Sequence, residues 1–143
     1  MNKPPFMLVA AGLFSLAVPA SAALSNPDRE FMQEAASGGM AEVEAAQLAQ
    51  QRASSQQVKD FASRMITDHT QANKELQQIA QQENVTLPTQ PTGKDAAATK
   101  KLSGLNSTAF DKAYMQDQLS DHQQVVSLFR KEASSGQDPA LKA

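Results

Sequence analysis

The chain has no cysteine and no tryptophan, one tyrosine and six phenylalanines. Without cysteine there is no disulfide and no lipoprotein cysteine to acylate. An excess of one charge is missing too: 13 Lys and Arg face 15 Asp and Glu, intermixed along the chain. No basic stripe exists to neutralise phosphates, which excludes nucleic acid as an expected partner. No block of like charge marks a tail. No Ser, Cys or Lys nucleophile stands in a recognisable motif, and no glycine-rich loop follows a strand. Covalent catalysis and nucleotide binding are left without support, and the reading leans away from an enzyme. Stability has to come from packing.

The first residues read as a leader. Lys3 supplies a positive start, Phe6 to Val18 is an apolar or small run, and Pro19 precedes Ala20-Ser21-Ala22. Charge, short apolar core and an A-x-A box are what a Sec-type signal peptide needs, with cleavage expected after Ala22. The core of about 13 residues is too short to span a bilayer, which takes roughly 20. The expectation is an exported, periplasmic chain whose mature part, residues 23–143, is one domain without a transmembrane span.

Ala and Gln dominate that mature part, and long stretches without Pro point to an all-α protein. Asn26-Pro27-Asp28 predicts a helix start, running to about Ala53, or about 39 Å. One side reads Phe31, Ala35, Gly38, Glu42, Ala45, Ala49, a series of small residues interrupted by a carboxylate. Gly38-Gly39 costs about 1 kcal/mol each against Ala, which makes sense if another helix approaches closely. Ser54 with Gln57 predicts a capping box for a second helix ended by Asn84. Its stripe is Val58, Phe61, Ala62, Met65, His69, Ala72, Leu76, Ile79. The short turn predicts an antiparallel pair. Pro88 and Pro91 exclude helix from 85 to 93, and a short amphipathic piece follows over 94–102. Ser107 is the expected cap of the next long helix, to about Ser134, with the stripe Phe110, Tyr114, Leu119, His122, Val125, Val126, Phe129. Asp138-Pro139 repeats the start signal four residues before the last one.

Phe61 to Leu76 and Tyr114 to Phe129 share one template: an aromatic, six residues, Asp-His, six residues, then Leu or Phe. Asp68-His69 therefore matches Asp121-His122 inside two helices, which indicates repeated architecture. The segments "FMQEAASGGMAEVEAAQLAQQRASSQQVKDFASRMITDHTQANKEL", "NVTLP", "LSGLNSTAFDKAYM" and "DHQQVVSLFRKEA" resemble the bacterial domain of unknown function 4142 family. Its members are often labelled exported or outer-membrane proteins. The resemblance implies a ferritin-like four-helix bundle with a long crossover between helices 2 and 3, and no established reaction. Family members usually continue into a fourth helix, which would make this chain a truncated bundle with an apolar groove open to self-association.

Glu42 stands 12 residues before Ser54 and His69 stands 15 after it. That is a level mismatch of about 4.5 Å at 1.5 Å per residue. With His122 near the middle of its helix, the three could meet at mid-bundle and hold a transition metal such as Fe, Zn, Cu or Mn. Asp121, Asp117 or water would complete the set. Against this, ferritin-like di-iron sites use Glu-x-x-His, and Ile66 and Leu119 stand where those Glu residues would be. The competing reading is a buried polar network of Glu42, Tyr114 and the two histidines that sets helix register. The missing motif favours the network. The network reading makes the chain a binding or structural component of the envelope; the alternative is a metal-binding or redox-protective ferritin-like protein using Glu42, His69 and His122.

Overall fold

The computed structural model describes residues 24–143, so the leader and its cleavage site lie outside the described residues. Those residues form an all-α helical bundle: α1 (Asn26–Arg52), α2 (Gln56–Gln82), α3 (Gly93–Ser103), α4 (Ser107–Ser135) and α5 (Pro139–Lys142). None of these helices is long and apolar enough to cross a membrane.

Local chemistry accounts for most of the boundaries. Ser25 caps α1, accepting from the Asp28 N–H, with Pro27 in the first turn, where its missing donor costs nothing. Asn84 ends α2 in the left-handed region at φ 55°. The Val85 and Asn84 N–H groups then bond back to the Ala80 and Gln81 carbonyls, the pairing of a Schellman stop. The expected capping box at Ser54 does not form. The N-cap is Ser55, with no side-chain bond of its own. Asp111 of α4 does the work instead, accepting from the Ser54 and Ser55 N–H groups at 3.0 Å each and from the Ser54 hydroxyl. Likewise Asn106, not Ser107, precedes α4 as its cap.

α1 is the central element. It lies antiparallel to α2, and the small stripe permits the approach: a Cβ on Gly39 would collide with the Asn73 side chain. α4 is antiparallel to α1 as well. Phe31 meets Phe129, Glu42 meets Gln118, and Arg52 reaches Asn106, so each step forward on α1 is a step back on α4. α2 and α4 therefore run in the same direction, and the crossover must return the length of the bundle. α3 lies on that return. Its start is pinned to the buried Ser37 of α1, whose hydroxyl accepts from the Thr92 N–H at 3.0 Å and donates to Asp95 at 2.6 Å.

Two apolar clusters fill the interior. One joins Ala45, Ala46 and Ala49 to Val58, Met65, Leu102, Phe110 and Tyr114 near the α1–α2 turn. The other joins Leu24, Phe31 and Met32 to Ala80 and Val85 at the opposite end. Between them lies a polar belt, where Gln118 of α4 bonds to Glu42 of α1.

Candidate functional site

The belt is built from the residues that interrupt the apolar stripes. Glu42 on α1 is 5% exposed, and on α4 Gln118 is 3% exposed, one turn beyond the fully buried Tyr114. The Gln118 amide nitrogen donates to the Glu42 carboxylate. That bond turns the amide so that its oxygen has no hydrogen-bond partner; the buried Tyr114 hydroxyl has none either. Burial pushes the Glu42 carboxyl above the ordinary carboxylate range. The Gln118 bond and the His122 imidazole pull it down, while Asp121 and Asp117 add to the rise. Tyr114 is driven well above the usual phenol range, first by burial and then by Glu42.

His69 and His122 face each other with ring centroids 5.9 Å apart at 86°. Eight residues earlier on both helices, Phe61 and Tyr114 face each other at 6.2 Å. These are the equivalent positions of the repeated template, so at these two levels the two copies face each other, like against like. His69 is half-buried. Burial, and then His122, lowers its pKa, with Asp68 opposing. His122 is exposed, which corrects the expectation that its stripe is interior. Its Nδ1 lies 2.9 Å from the Gln118 carbonyl of its own helix. A carbonyl can only accept, so Nδ1 carries the proton and Nε2 is the free nitrogen.

Glu42, His69 and His122 thus occupy one level of the bundle, with Asp117 and Asp121 half-buried beside them on α4. Their closest pairings are Glu42 with Gln118 and His69 with His122. Among the described residues no group of three or more His, Cys, Asp or Glu side chains is gathered closely enough to hold a metal ion. Gln118 is the member that sequence reasoning missed, and its signal was available. It continues the Phe110, Tyr114 series at the next helical turn.

Beside the belt a groove of about 340 Å³ runs between α1, α2 and α4. Its lower half is mainly apolar, walled by Phe31, Leu76, Ile79, Leu128 and Phe129, with Leu141 of α5 at the end and with Glu34 and Glu75 also lining it. Its upper half contains Glu42, Gln118, Asp117, Asp121 and His69. Phe31 and Glu42 are eleven positions apart on α1, so the groove extends about 16 Å along the axis. Gly38 stands between these halves, and a Cβ there would meet nothing within 4 Å.

The described residues thus form a helical bundle with an interhelical groove, mainly apolar at one end and acidic at the other. The family model described as Domain of unknown function (DUF4142) matches residues 14–143, and the chain belongs to that family. No curated protein and no solved structure gives a significant match.

Proposed function

We propose that this chain is an exported, periplasmic binding protein of the cell envelope whose working site is the groove between α1, α2 and α4. The carrying observation is the groove itself. Closely packed interiors leave few voids larger than a water molecule, and concave, largely apolar clefts with a few convergent polar groups are the usual form of a small-molecule site. Export rests on the charge, apolar core and A-x-A box of residues 1–22. The down-running order of α2 and α4, joined by a crossover, supports a ferritin-like arrangement. Gly38→Leu grows a side chain into open groove space. Binding of the neutral apolar dye N-phenyl-1-naphthylamine is expected to weaken by more than about tenfold in that variant, with helicity unchanged. Unaltered dye affinity in a folded Gly38→Leu protein would rule the groove out as the site.

A second reading, a transition-metal or redox-protective protein using Glu42, His69 and His122 with Asp121 or Asp117, is favoured by one observation, the facing imidazoles at 5.9 Å. It requires Gln118 to release Glu42. Elemental analysis of protein purified without chelators or an affinity tag separates the two. Stoichiometric metal, lost when both histidines become Ala, selects the second.

A further inference from the structure

We propose that the groove's guest is a small amphipathic organic cation, an alkyl amine whose chain lies between Phe31 and Leu76 and whose ammonium sits among Glu42, Asp117, Asp121 and the Gln118 amide oxygen. The inference rests on the groove being the binding site and names the chemistry it selects.

Charge complementarity carries the first half. Of the charged residues lining the groove, Glu34, Glu42, Glu75, Asp95, Asp117 and Asp121 face a single lysine. That lysine, Lys94, is already engaged, 3.9 Å from Glu34 and 2.8 Å from the Gln124 side-chain oxygen. Asp95 is spoken for by the Ser37 hydroxyl. The carboxylates nearest the belt, Glu42, Asp117 and Asp121, have the His122 imidazole, Lys94 and Lys101 as the charges that offset them. After burial, the largest upward influence on the Asp121 carboxyl is Asp117, which is what negative charge short of counter-charge produces.

The second half is independent of charge. The Gln118 oxygen is an acceptor with no donor, on a residue 3% exposed that lines the groove. Leaving a buried acceptor unsatisfied costs about 1–3 kcal/mol, and native structures seldom tolerate it without a reason. Most free polar valences at this end are acceptors, carboxylate oxygens and one amide oxygen; the exceptions are the His69 imidazole N–H and the Tyr114 hydroxyl. An ammonium has three donors and no acceptor, and matches that set. A phosphate-bearing or carboxylate headgroup would meet like charge. The apolar wall below, about half of the groove's 16 Å, suits an alkyl chain, which a bare metal ion or a free polyamine would leave unused.

Isothermal titration of the purified protein with three probes of equal chain length tests the proposal: decylammonium and decyl sulfate below their micelle concentrations, and decanol below its solubility limit. Decylammonium is expected to bind at least about tenfold tighter than the other two. The preference should shrink to within about twofold in the Glu42→Gln/Asp117→Asn/Asp121→Asn variant, and at high salt. Equal affinity for all three probes overturns the cation assignment while leaving the groove as a site. Binding of none of them overturns both. A preference that survives neutralisation of the three carboxylates shows the cation sits elsewhere. If the triple variant does not fold, the probe ranking and its salt dependence on the wild-type protein decide the matter.

Discussion

His69 is held half-buried beside a second imidazole, and that placement writes a pH dependence into the bundle. Its pKa lies below the ordinary histidine value of 6.5 because burial and His122 both disfavour the charged ring. The folded state thus prefers neutral His69. That contribution is fully present above pH 6.5 and is lost as pH falls through the depressed value. Glu42, Asp117 and Asp121 work the other way. Their carboxyls are raised, chiefly by burial, so folding favours their protonated forms, and they add stability as pH falls towards their ordinary values. Between about pH 4.5 and 6.5 the two slopes oppose each other. Replacing His69 with Gln removes one of them. In urea titrations at stepped pH, stability of His69→Gln is expected to rise on acidification through this window, while the wild type stays flatter. Parallel curves for the two proteins would show that His69 is not coupled to folding.

At the scale of elements, α4 carries more apolar surface than the rest of the described bundle covers. Its buried line is Phe110, Tyr114, Gln118 and Glu132, with Val125 and Leu128 half-covered. One step round the helix run Met115, Leu119, Val126 and Phe129, of which Leu119 is 64% and Phe129 50% exposed. Spacings of four, seven and three make this a second stripe, straight enough to receive another helix. We propose self-association through it, because such a stripe left in water forgoes about 25 cal/mol per Å². Leu119→Glu with Val126→Glu is expected to convert an associating protein to monomer in sedimentation velocity at tens of micromolar, with helicity retained. A wild-type protein already monomeric at millimolar concentration would refute this role. The same helix shows where sequence reading falters. Helix, polarity and length were legible from Phe110, Tyr114 and the expected end near Ser134, but the expected stripe crossed from one face to the other at Leu119 and His122. With 3.6 residues per turn, two adjacent apolar lines blur into one broad stripe. Only the position of α1 decides which line is covered. Asp111 was equally hidden, since its partners Ser54 and Ser55 are far away in sequence. Glu42 and the histidines were found because they interrupt apolar stripes. Gln118 was passed over because an uncharged amide in a Gln-rich chain draws no notice.

On the scale of the whole molecule, the two ends of the described chain are tied together by a single carboxylate. Asp28 sits in the first turn of α1, where an acidic residue ordinarily stays in solvent and complements the helix dipole. Here it is buried. It accepts from the Gln137 N–H at 3.1 and 3.3 Å and from the Asp138 N–H at 3.1 Å. That clasp turns the chain after α4, and Asp138 then caps α5 by accepting from Ala140 and Leu141. Leu141 in turn packs on the cluster around Phe31 and closes the apolar end of the groove. A buried neighbour opposes the clasp. The Glu132 carboxyl is raised by burial first and then by the Asp28 charge. Space is tight, because a Cβ on Gly136 would press on Glu132. Asp28→Ala leaves two backbone donors without their acceptor and is expected to cost about 2–3 kcal/mol, as for hydrogen bonds to a charged group. Dye binding in the groove should weaken with it, since α5 loses its anchor. Glu132→Gln should do the reverse. It replaces a carboxyl that Asp28 repels whenever it is ionised with an amide that can donate to Asp28, so its advantage over wild type should shrink as pH falls through the raised Glu132 value and the carboxyl protonates. Urea denaturation of the three proteins at pH 7.5 and pH 5, with dye titration alongside, measures both effects. An Asp28→Ala protein within about 0.5 kcal/mol of wild type would mean that the α4–α5 turn holds without its clasp, and that the groove's closed end does not depend on α1.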